Sequence, residues 1–144
     1  MHLVGSGDSQ RDIESPVWVN PQMGSYWHPI LKIQKHFYMN GSCADTIGNN
    51  GSNIDKSVVQ KKLELVREML AGFKLMLFAF DWFHYESGQR IPKKSIFNIP
   101  DAYANQVAQS EPQAFDWVCR IHPYRADALR ALESAANNGA RAVK

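Results

Sequence analysis

The sequence predicts an α/β protein: parallel strands covered by helices, amounting to half of an eight-stranded (β/α) barrel with a long insertion after the first strand. Two observations carry this. Residues 75–80, Leu-Met-Leu-Phe-Ala-Phe, form a continuous apolar run, which is what a parallel strand buried on both faces requires. Residues 115–144 read as strand, helix, strand, and strands alternating with helices argue for parallel pairing through crossovers. The 144 residues are ample for one domain with a core, but short for a closed barrel, which needs roughly 200 or more.

Residues 2–4 read as the end of a first strand running into a Gly-Ser-Gly-Asp loop. Residues 8–56 form the insertion. Its first part, to residue 25, mixes Ser, Asp, Gly and Pro and is predicted as loop, with a short extended piece over 17–19. Pro29 suits the first turn of a helix. Ile30, Ile33 and Phe37 give that helix an apolar face, and Asn40-Gly41 ends it. A polar, glycine-rich connection over 46–53 follows.

Asp55 or Ser57 caps the longest helix, and Ser57 with Gln60 has capping-box spacing. Val59, Leu63, Val66 and Leu70 form its predicted buried stripe, widened by Leu65 and Met69. Lys61, Lys62, Glu64, Arg67 and Glu68 mark the wet side, and Gly72 is the stop. After the strand at 75–80, Asp81 ends the run and residues 86–95 read as a charged loop. Pro100 opens another helix with Tyr103 and Val107 inward, closed by Ser110-Glu111-Pro112.

Residues 115–121 suit a buried strand, stopped by His122-Pro123. The alanine- and leucine-rich 125–137 has high helix propensity. Leu129, Leu132 and Ala136 share one face, Asp127 complements the helix dipole in the first turn, and Asn138-Gly139 is the C-terminal stop. The apolar run beginning at Ala140 reaches Lys144, so further structure is expected beyond it.

Composition excludes several partners. A formal charge of +2 is too small to predict a nucleic-acid or acidic membrane surface. No apolar run approaches the ~20 residues of a membrane span. The N-terminus lacks the basic region and apolar core of a signal peptide. Two distant cysteines, Cys43 and Cys119, point to free thiols and a cytoplasmic protein.

In parallel α/β folds function gathers at the C-terminal ends of strands. That rule selects His2, Asp81, His84, His122 and Lys144. Neutral imidazole ligates zinc and similar ions well near neutral pH. His2 is equally a surface histidine near a chain start. His122 is either a turn residue bonded to backbone or a group lining a pocket. Asp81 is a cap, a turn former or the orienting partner of another group. His28 and His36 have no partner at ligand spacing. Gly5-Ser6-Gly7 lacks the third glycine of a dinucleotide loop. Cys119 reads as packing rather than a nucleophile.

The segment HPYRADALRALESAANNGARAVK resembles the third-strand to fourth-strand region of metal-dependent hydrolases of the amidohydrolase superfamily. Met1-His2-Leu3-Val4-Gly5 resembles the tail of the H-x-H motif that ends their first strand. The resemblance implies a TIM-type barrel, a divalent metal (most often zinc) and a metal-activated water attacking a small-molecule substrate. It implies His2 and Lys144 as metal ligands, the lysine in carbamylated form where two metals are bridged. It implies His122 and Asp81 as catalytic-pocket residues. The remaining family ligands are a first histidine, one on the fifth strand and an aspartate on the eighth, and no residue here matches them. The chain is therefore expected to be inactive alone, and its open sheet edges to favour homo-oligomers. The other reading is a small self-contained α/β binding or assembly module.

Overall fold

The computed structural model describes residues 1–3, 17–41 and 54–144. Predictions for Val4, for 5–16 and for 42–53, Cys43 included, lie outside the described residues. The elements in chain order are β1 (Trp18–Val19), α1 (Pro29–Gly41), α2 (Ile54–Arg67), β2 (Leu75–Phe78), β3 (Phe97–Asn98), α3 (Asp101–Ser110), β4 (Phe115–Cys119), α4 (Ala128–Asn137) and β5 (Ala142–Val143).

The molecule is mixed α/β, built on a three-stranded parallel sheet in the order β2-β4-β5. Leu75 to Phe78 pair with Phe115 to Val118, and Val118 and Cys119 pair with Ala142 and Val143. On the far side of β2, His2 bridges Phe78 in parallel, and the Phe78 amide donates to the Met1 carbonyl at 2.9 Å. Spatial order thus follows chain order. The sheet is open rather than closed into a barrel.

Alternation along the strands sorts side chains onto two faces. Leu3, Leu77, Ala79, Phe115, Trp117 and Cys119 join one buried cluster with Tyr103, Ala104, Val107 and Ala108 of α3. These α3 positions recur at three and four residues, the spacing of one helix face. His2, Met76, Phe78, Phe80, Val118, Arg120 and Lys144 alternate with that set and belong to the other face. Small glycine-capped turns connect the layers. Gly139 sits at φ 84° after α4, a conformation that glycine adopts at low cost.

Three helix faces differ from expectation. In α1, Ile30, Ile33 and Phe37 are exposed, Phe37 at 70%. An apolar stripe says which side a helix would bury, but a neighbour must be there to cover it. In α2 the predicted Leu63 is buried and Val59 and Val66 pack against the core, but the helix ends at Arg67, leaving Met69 and Leu70 exposed, and Val58 and Lys62 are buried as well. Lys62 is 2% exposed; its four-carbon stem packs like an aliphatic side chain. In α4, Ala135 is buried while Leu129 is 84% exposed. Alanines at 128, 131 and 135 make a second stripe, and small side chains allow closer approach to the sheet.

The extended piece expected over 17–19 is present as β1, and it finds a partner strand that the sequence did not indicate. β1 pairs antiparallel with β3, Trp18 opposite Asn98, and Phe80 bridges Ile99. Buried Asn20 donates from Nδ2 to the Ser95 carbonyl at 3.0 Å, and Asn98 donates to the Phe80 carbonyl at 2.8 Å. The Asn20 amide caps the Ser95 carbonyl, and Asn98 is a second donor to the Phe80 carbonyl, which also accepts the Ile99 amide at 2.8 Å. Among the described residues, no helix is long and apolar enough to cross a membrane.

Leu77 is fully buried at the centre of the sheet. Leu77→Ala is expected to cost about 2–5 kcal/mol, read as a lowered urea midpoint at unchanged slope.

Candidate functional site

Parallel pairing delivers the residues after β2, β4 and β5 to one end of the sheet, together with the start of α3. Asp81 is the hub there. Its Oδ1 accepts the Trp82 amide at 2.8 Å. Its Oδ2 accepts the His122 amide at 3.0 Å and Arg125 Nη1 at 3.2 Å. The carboxylate side chain is 7% exposed. Arg125 then reaches Asp127 with Nε and Nη2, at 2.9 and 3.0 Å. This two-point geometry suits a planar guanidinium. Those bonds hold the Arg125 guanidinium firmly protonated, and they pull the Asp127 carboxyl below its ordinary range.

Three donors take up most of the acceptor capacity of the Asp81 carboxylate. It ties the loop after β2 to the loop after β4 and so positions His122. Asp101, at the start of α3, accepts the Arg120 amide at 3.2 Å. Burial, reinforced by the Asp81 charge, pushes its carboxyl up to about 6.

His122 stands among aromatic rings: His84 at 5.2 Å, Tyr124 at 5.6 Å and Phe83 at 5.8 Å between centroids. Its Nδ1 accepts the Tyr124 amide at 3.3 Å, so the neutral ring carries hydrogen on Nε2. His84 has the opposite tautomer. Its Nδ1 lies 2.9 Å from the Trp82 carbonyl, which can only accept. Burial and then the neighbouring His84 hold the His122 pKa below its usual value. Gly88 turns the 85–89 loop at φ 84°, so near Tyr124 that a Cβ would meet its carbonyl oxygen at 3.2 Å. A cleft of about 430 Å³ lies alongside, lined by Asp81, Trp82, His84, Arg90, Asp101 and Arg120 among others.

His2 and Lys144 form a second pair. Lys144 Nζ lies 3.3 Å from His2 Nε2. A flat sheet would put the outermost of four strands about 14 Å apart, with side chains perpendicular to it. The long lysine side chain leans across the sheet to make this contact, with its Nζ also 4.9 Å from the centre of the Phe78 ring. The ammonium ion donates, so Nε2 accepts and the ring hydrogen sits on Nδ1. That Nδ1 is buried and has no hydrogen-bond partner among the described residues. Burial, then the Lys144 charge, lowers the His2 pKa, with a further contribution from Arg120.

These residues do not fit the divalent metal that the resemblance implies. The His2 lone pair faces an ammonium ion. Its other nitrogen lacks the acceptor that orients a metal-bound histidine. Positive charges surround it, and among the described residues no group of three His, Cys, Asp or Glu could hold a metal ion. The four predicted site residues therefore form two pairs, Asp81 with His122 and His2 with Lys144, with Arg120 affecting the histidine of each. Arg125, Asp127, Asp101 and Arg120 were not singled out in the sequence as site residues. Asp127 reads there only as a dipole partner for its helix, because its bonds to Arg125 and onward to Asp81 depend on the loops meeting.

Asp81→Ala strands two amides and one guanidinium, and is expected to cost about 3 kcal/mol, measured by chemical denaturation. Asp101 binds its proton more tightly folded than unfolded, since its pKa rises from 3.8 to about 6. Its contribution is thus fullest below pH 3.8 and lost as pH rises to about 6. Asp101→Asn, compared with the parent chain by denaturation at several pH values, should remove that fall. No protein-family model, curated protein or solved structure matches the chain.

Proposed function

We propose that this chain is a portion of an amidohydrolase-type (β/α) barrel and is catalytically silent by itself. The observation that carries this reading is the sheet. Its strands are parallel, follow chain order and bring His2 and Lys144 to one face. Asp81 and His122 stand at the same end. The reaction class is hydrolysis of a small-molecule substrate by metal-activated water, with zinc the expected metal. The residues described here do not fit that metal, so this chain contributes binding and positioning groups only. Asp81 and Arg125 orient the His122 loop, and the neutral His122 ring carries its hydrogen on Nε2. Neither nucleic acid nor membrane is a partner in this reading. The buried free thiol of Cys119 suits the reducing cytoplasm.

A binding or assembly module without catalysis is the second reading. The single buried cluster running from Leu3 to Ala135 favours it, because one contiguous core is what a self-contained domain requires.

Metal analysis of the chain after zinc loading and desalting is expected to find substoichiometric metal, with no turnover of amide, ester or lactone substrates. Tight stoichiometric zinc with turnover would overturn the reading. Light scattering separates the alternatives: self-association is expected through the open edges, whereas a monomer with one sharp unfolding transition favours the compact module.

A further inference from the structure

We propose that the sheet face bearing Lys144, Arg120 and His2 is a binding site for a small oxyanion, a dicarboxylate or a phosphate. The argument begins with register. His2, Phe78, Val118 and Ala142 stand opposite one another across the sheet. One pleat further on, Phe80, Arg120 and Lys144 occupy the same face. Each cation is held over a ring, Lys144 Nζ 4.9 Å from the centre of Phe78 and Arg120 Cζ 3.9 Å from that of Phe80. The rings fix where the charges stand and leave their polar hydrogens for another partner.

Neither charge is neutralised among the described residues. The ion pairs of Asp81, Asp116 and Asp127 are with Lys74, Arg125, Arg130 and Arg141. Asp116 does lie on this face by alternation, but about 13 Å from Arg120 along the strand, where Lys74 and Arg141 hold it. One end of the face is therefore balanced, and at the other Lys144 and Arg120 have no side-chain carboxylate partner among the described residues. An ammonium ion has three donors. One Lys144 donor goes to His2 Nε2, leaving two. The Arg120 guanidinium makes no hydrogen bond among the described residues. Charge-assisted donors converging on one half-open face suit carboxylate or phosphate oxygens. A metal cation suits them poorly, and the same observations that argue against zinc argue for an anion. The inference needs no metal and stands apart from the hydrolase reading.

Calorimetric titration of the 144-residue chain with inorganic phosphate and, separately, with malonate tests it, at low salt and with chelator present. Saturable binding of at least one is expected, weakened about tenfold or more by Lys144→Met and unchanged by Lys74→Met at the opposite end. Phosphate alone or malonate alone then names the oxyanion. Arg120→Met should weaken binding as well. Lys144 is exposed, so its variant carries the test even if the Arg120 variant does not fold. No saturable binding of either anion, or equal weakening by the Lys74 and Lys144 variants, would overturn the proposal. Because chelator is present, its outcome is independent of zinc content and turnover.

Discussion

The parallel pairing of β2 with β4 is the constraint on which the other features depend. Four consecutive residues of each strand stand in register, and Leu77 and Trp117 from that pair are buried beneath α3. Backbone hydrogen bonds set the direction of both strands. Burial of one face sets their register, because a slip of one residue would exchange the apolar set for Phe78, Val118 and Arg120. Once direction and register are set, every loop that follows a strand emerges at one end.

That end is then held by polar bonds rather than by packing. Asp81 accepts from two backbone amides and from Arg125, joining segments separated by 41 residues or more. A buried carboxylate is costly unless its oxygens are satisfied, and here its partners come from both loops. The cost of leaving any of them unpaired is what keeps the loops together. His122 is oriented by the same bonds, through its own backbone and that of Tyr124.

The other face has a different electrostatic logic. Its lower end pairs Asp116 with Lys74 and Arg141. Its upper end sets Lys144 against neutral His2 and places both Lys144 and Arg120 over rings. Aromatic faces attract cations without discharging them, so the positive potential persists at the surface. This separates the face chemically from the Asp81 hub nearby, where Arg125 is held by the carboxylates of Asp81 and Asp127.

Element types were legible in the residues themselves. The apolar run at 75–80, the inward Tyr103 and Val107, and the glycine stop at 139 all follow from period, propensity and backbone freedom, which are local properties. The clustering of candidate groups after strands was legible too, since chain direction in a parallel sheet dictates it. Which helix face found a neighbour was decided only in three dimensions. Leu129 lies outside and Ala135 inside because α4 offers two apolar stripes, and the sheet accepts the smaller. Lys62 is buried for a related reason: its charge is visible in the sequence, but its environment is not. The meeting of Lys144 with His2, 142 positions apart, depends on the strand order that brings both ends of the chain to one sheet face. No local pattern encodes that distance, because it is the sum of every strand pairing between them.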